Sequence, residues 1–179
     1  MKENIWIFGV LLLIVSFFFD SEITVFMEMI RVSAFYGVMR VVSYIWFVGL
    51  IIFVYCTMLK DKKKILLLGL SVVIAYVVSF LLKLVIMRER PENLLRFDYS
   101  FPSSHAIVMF STLAMMNKEF PKLKYWFFGV ALVIAFSRLY LGVHYASDLV
   151  AGGFLGYGIG LLVLKKKAIW TKLKGFWKS

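Results

Sequence analysis

Two histidines are the only imidazoles in the chain, and both lie among fixed charges. His144 precedes Asp148 by four residues, a spacing that puts both side chains on one face of a helix. The carboxylate then accepts a hydrogen bond from one ring nitrogen and leaves the other free to attack. A histidine held in one tautomer this way is either the base of a catalytic triad or, with no serine in front of it, a nucleophile itself. Lys83, Arg90 and Arg138 add permanent cations from three different segments. Guanidinium forks together with an ammonium point charge suit a strongly anionic group, of which phosphate is the simplest. Pro102-Ser103-Ser104-His105 opens a further apolar segment. There the unpaired N–H groups of a helix N-terminus and the two hydroxyls cradle phosphate oxygens, with His105 at the rim as a proton donor. A metal centre is not expected, because two His and one Asp lack a fourth ligand and the surrounding cations repel a metal ion; no cofactor is expected either.

The elements that must position these residues belong in a membrane. Of 179 residues 62% are hydrophobic and 17% charged, with a mean hydropathy of +0.87, too much apolar surface for one small soluble core. The fold class expected is all-α and polytopic, one membrane-embedded domain over residues 1–179. Six spans are expected, at about 5–19, 41–59, 65–82, 103–119, 125–142 and 145–164. The first and fourth are short for a bilayer that takes roughly 17–25 helical residues. The first also has the apolar character of a signal peptide, but Phe17-Phe18-Phe19-Asp20 makes a poor cleavage site. Interfacial helices are expected at about 22–36, where Ile23, Phe26, Met27 and Ile30 recur at helical steps, and at about 166–178, where Ile169, Trp170, Leu173, Phe176 and Trp177 lie among lysines. Gly152, Gly156 and Gly160 place a small residue every fourth position in the last span, which lets another helix approach closely. Gly156-Tyr-Gly-Ile-Gly160 is no dinucleotide loop, since no strand precedes it. Cys56 is the single cysteine, so no disulfide forms within the chain.

Charge then orients the spans. Six alternating crossings gather 14 lysines, no arginine and three acids on one side, net +11, and leave seven basic against seven acidic residues on the other. The positive-inside rule puts the lysine side, with both termini, in the cytoplasm and the arginine-bearing segments outside a plasma membrane. The +11 balance is therefore topology and contact with anionic lipid, not nucleic-acid binding. Arg88 and Arg96 have no chemical role on this reading and are expected to pair with Glu89, Glu92 or Asp98.

The spacings carry more than the composition. Lys83, six residues, Arg90-Pro91; then Pro102-Ser103-Ser104-His105; then Ser137-Arg138, five residues, His144, three residues, Asp148: this resembles the tripartite signature of the type 2 phosphatidic acid phosphatase family, related to vanadium haloperoxidases. All three blocks occur in order. The second departs from the usual Pro-Ser-Gly-His in having Ser104 at the glycine position, a small residue that fits at modest cost. The resemblance implies a metal-independent phosphatase of lipid phosphates or pyrophosphates that works through a phosphohistidine. Transferred by position, His144 is the nucleophile, Asp148 orients it, His105 protonates the leaving oxygen, and Lys83, Arg90, Ser103 and Arg138 hold the phosphate. Expected partners are the bilayer and a membrane lipid phosphate, a polyprenyl pyrophosphate slightly ahead of phosphatidylglycerol phosphate and phosphatidic acid; no obligate protein partner is evident. The alternatives are a non-catalytic protein that binds or translocates lipid headgroups, which has no reason to pair His144 with Asp148, and a vanadate-dependent oxidase, whose relatives are soluble.

Overall fold

A computed structural model describes the backbone of residues 2–91 and 99–176, and side chains within 7–91 and 99–165. Among these residues the protein is all-helical: α1 Lys2–Phe18, α2 Asp20–Met29, α3 Ser33–Val42, α4 Ile45–Leu59, α5 Lys62–Ile86, α6 Ser104–Glu119, α7 Lys124–Tyr140 and α8 Ala146–Phe176. A 3-10 turn, Pro121–Leu123, leads into α7.

By length and apolar character three helices are able to cross a membrane: Lys62–Ile86, Pro121–Tyr140 and Ala146–Lys165. The number rises to five if each of two bent pairs is one span, α1 with α2 (66°) and α3 with α4 (52°). The segment expected as one interfacial helix over 22–36 is instead divided. Ile30 caps α2, Val32 is extended, and α3 begins at Ser33. The expected helix at 166–178 is, through Phe176, a continuation of α8; its side chains lie outside the described residues.

Large apolar side chains point outward along the bundle, among them Trp46, Leu66 and Val85, as they do where the surrounding medium is lipid and gives them no penalty. The core is built around α6. Ten of its 16 residues are buried, so it is wrapped by neighbours on all sides, and it packs against α5, α7 and most extensively α8. At about 1.5 Å per residue it is too short to cross the hydrocarbon alone.

The α6–α8 seam depends on the glycine stripe. A Cβ on Gly156 would lie 2.2 Å from the Ile107 carbonyl oxygen, and one on Gly160 2.3 Å from that of Ser111. The two backbones therefore meet where side chains are missing. Helix direction then sorts the chain into two ends. Asp61 caps α5 by accepting from the Lys63 N–H at 2.8 Å, and Lys64 pairs with Glu119 at the far end of α6. At the opposite end lie the last turns of α5 and α7 and the first turns of α6 and α8, which hold every residue of the three sequence blocks.

Candidate active site

His144 comes from the turn between α7 and α8. Gly142 takes a φ of 70° there, a left-handed conformation that costs glycine nothing. The chain doubles back so that the Val143 N–H reaches the Arg138 carbonyl at 3.2 Å, and His144 is left 2% exposed just ahead of α8. Its Nδ1 lies 3.3 Å from Oδ2 of the fully buried Asp148, and its Nε2 3.3 Å from Arg90 Nη1. A guanidinium only donates and an ionised carboxylate only accepts. The proton therefore belongs on Nδ1 and the lone pair on Nε2. Burial foremost, then the charges of Arg90, Arg138 and Lys83, hold the imidazole well below the usual histidine range, which keeps it neutral and nucleophilic.

The cations close around this ring. Lys83, buried in the last turn of α5, donates to the Tyr99 carbonyl and, at 3.5 Å, to that of Ser100. Arg90 also donates to the Val143 carbonyl at 2.6 Å and to that of Tyr99 at 3.4 Å. Arg138, in the last turn of α7, donates to the hydroxyl and carbonyl of Ser43 at the end of α3. Ser43 also hydrogen-bonds through its backbone to the ring of His105, so one residue steadies two groups of the site.

At the start of α6, the Ser103 N–H donates to the Asp148 carbonyl at 3.1 Å. That bond ties one sequence block to another through backbone. Among the described residues, Ser103 Oγ and His105 Nε2 are buried without a hydrogen-bond partner. Orphaned buried polar atoms are costly, and two of them beside a cluster of cations suit the oxygens of an anionic substrate.

The structure thus assembles Lys83, Arg90, Ser103, His105, Arg138, His144 and Asp148 at one end of the bundle. Ser104 differs: its hydroxyl lies 2.9 Å from Ser79 Oγ in the α5–α6 interface. The side chain is engaged in packing, and its backbone alone faces the helix N-terminus.

Arg88 corrects another expectation. It pairs not with the acids near it in sequence but with Asp20 (2.8 Å) and Asp148 (2.9 Å); Arg96, Glu92 and Asp98 lie outside the described residues. Asp20 and Ser43 were not anticipated as contributors. The one signal for Asp20 was an acid directly after an apolar run, an expensive place for a charge without a partner.

A family model described as the PAP2 superfamily matches residues 64–171. An undecaprenyl-diphosphatase of Sulfolobus acidocaldarius is 32% identical over 58% of this chain and 55% of its own length. A decaprenylphosphoryl-5-phosphoribose phosphatase of Mycobacterium tuberculosis is 31% identical over 58% of this chain and 62% of its own. The match thus spans little more than half the length of these relatives. In fold, the chain is similar to a transmembrane PAP2-type phosphatidylglycerolphosphate phosphatase from Bacillus subtilis, with a TM-score of 0.70, 23% identity, and coverage of 92% of this chain and 94% of that one.

Proposed function

Because the chain belongs to the PAP2 superfamily and gathers all three sequence blocks at one end of its bundle, we propose that it hydrolyses a membrane lipid phosphate or pyrophosphate through a phosphohistidine on His144. The observation that carries this reading is the orientation of His144: Nδ1 faces the buried Asp148 and Nε2 faces Arg90. A headgroup binder has no use for a tautomer set on both sides.

In the proposed reaction, the phosphoryl group enters among Lys83, Arg90 and Arg138, and Ser103 Oγ and the α6 N-terminus complete its hydrogen bonds. His144 Nε2 attacks phosphorus as the bond to the leaving oxygen breaks. His105 gives that oxygen a proton, then takes one from the water that hydrolyses the phosphohistidine. Charge spreads over the equatorial oxygens in the transition state, and fixed cations stabilise it without reorganising.

The lipid tail stays in the bilayer while phosphate leaves into water. The site lies on the outer face of a plasma membrane and both termini on the cytoplasmic face, a reading supported by the lysine-rich end around Lys64 lying opposite the site. A polyprenyl pyrophosphate is the favoured substrate, supported by the printed activity of the archaeal relative, with phosphatidylglycerol phosphate and phosphatidic acid next.

The test is phosphate release by purified protein in detergent from these three lipids, with acid quench to trap an acid-labile phosphoenzyme. The expected result is release that His144→Ala abolishes along with the phosphoenzyme. Turnover by His144→Ala, or tight binding of all three lipids without release, refutes the reading.

A further inference from the structure

Arg88 and Asp20 lie outside all three sequence blocks, yet they hold the far side of Asp148. The Asp148 carboxylate divides its two oxygens. Oδ2 faces His144 Nδ1 and accepts from the Tyr145 N–H at 2.9 Å, while Oδ1 accepts from Arg88 Nη1 at 2.9 Å. Arg88 in turn reaches Asp20 Oδ2 with Nη2 at 2.8 Å and the Ser147 hydroxyl with Nη1 at 2.6 Å. Asp20, at the bend between α1 and α2, also accepts from the Ser147 N–H at 3.0 Å and from its hydroxyl. The guanidinium lies over the Tyr145 ring, 3.9 Å from its centroid, and 5.1 Å from that of Phe17.

Both terminal nitrogens of Arg88 are therefore spent on carboxylates and its faces on aromatic rings. That separates it from Arg90, whose Nη1 meets the attacking nitrogen. A fully buried carboxylate needs a compensating charge and hydrogen bonds to both oxygens to keep one orientation.

We propose that Asp20 and Arg88 form a positioning clamp that fixes the Asp148 carboxylate, and through it the Nδ1–H tautomer of His144, so that the α1–α2 bend takes part in organising the nucleophile. This rests on the reading of His144 as nucleophile. Arg88 supplies the bond and the charge at Oδ1. Asp20 holds Arg88 in place and grips Ser147, the residue before Asp148, by its backbone and hydroxyl. Neither touches the phosphate.

The test uses the full-length protein in detergent, with p-nitrophenyl phosphate and a short prenyl diphosphate as probes. Arg88→Gln is expected to lower kcat about tenfold to a hundredfold, the range seen when outer partners that orient a histidine are lost, with KM nearly unchanged. Arg88→Lys recovers part of the loss, because a point charge reaches one carboxylate and not both. Asp20→Asn, nearly isosteric, loses kcat in the same sense and serves where Arg88→Gln does not yield folded protein.

A second readout is the nitrogen-15 spectrum of the imidazole in a His105→Gln background, where His144 is the sole histidine. The Nδ1–H tautomer is expected with Arg88 and Asp20 intact, and a mixture of tautomers in either variant. An unchanged tautomer, or a loss confined to KM, overturns the clamp. If the unmodified protein turns over neither probe, the phosphatase reading fails, and the tautomer measurement still decides the clamp.

Discussion

Gly156→Ala is the smallest change that reaches the site from a distance. The added Cβ would lie 2.2 Å from the Ile107 carbonyl oxygen and 3.0 Å from its carbon. Ordinary van der Waals contact begins at 3.4 Å, so 3.4 − 2.2 leaves a shortfall of 1.2 Å. The obstacle is backbone of α6 and cannot rotate aside, so α6 and α8 must separate by about 1 Å. Overpacking of this kind costs about 1–3 kcal/mol in stability. The larger effect is on turnover, because α6 carries Ser103 and His105 while α8 carries Asp148, joined by one backbone hydrogen bond of 3.1 Å. A 1 Å displacement between reacting groups costs on the order of a hundredfold in rate.

Gly153→Ala is the internal control. Its Cβ meets only the Phe110 ring at 3.4–3.6 Å, an ordinary contact, and alanine favours the helix by up to about 1 kcal/mol. The assay is the thermal midpoint in detergent alongside kcat on one lipid phosphate. The expected result is a lowered midpoint and a large fall in kcat for Gly156→Ala, with Gly153→Ala close to the parent in both. Equal behaviour of the two variants refutes the account of the seam.

Other outcomes follow from the same geometry. His105→Ala is expected to slow release of a lipid alkoxide far more than release of nitrophenolate, which leaves with little protonation; equal single-turnover losses on the two deny it the role of acid. His144 is held below the ordinary histidine value by burial and by Arg90, Arg138 and Lys83, so the unfolded chain binds the extra proton first, near about pH 6.5. Stability is therefore expected to be full above that pH and to decline as pH falls below it, and a thermal midpoint that rises on acidification contradicts the assignment. Turnover is expected to persist in chelator and to be inhibited by vanadate, which mimics five-coordinate phosphorus among the three cations; loss in chelator restored by a divalent ion removes the mechanism. For topology, Glu28→Cys, exposed near the site end, is expected to react with an impermeant thiol reagent from outside intact cells in a Cys56→Ala background, and Lys62→Cys only after permeabilisation; the opposite pattern inverts the orientation.

What the sequence by itself determined was whatever rests on short spacing or composition. His144 and Asp148 lie one helical turn apart, so their contact follows from the rise of a helix once α8 begins at Ala146. Apolar content required a membrane protein of helices, and a small residue every fourth position announced a close approach without naming the partner. The identity of that partner, α6, was decided by tertiary packing. So were the contacts that join distant segments: Arg88 with Asp20 across 68 residues, Arg138 with Ser43 across 95, and the Ser104 hydroxyl with Ser79 across 25. Arg88 has nearer acids in sequence. It reaches Asp20 and Asp148 because the bend after α1 and the first turn of α8 converge at the end of α5, and a buried carboxylate is stabilised by the cation the fold sets beside it, however far away in the chain that cation stands.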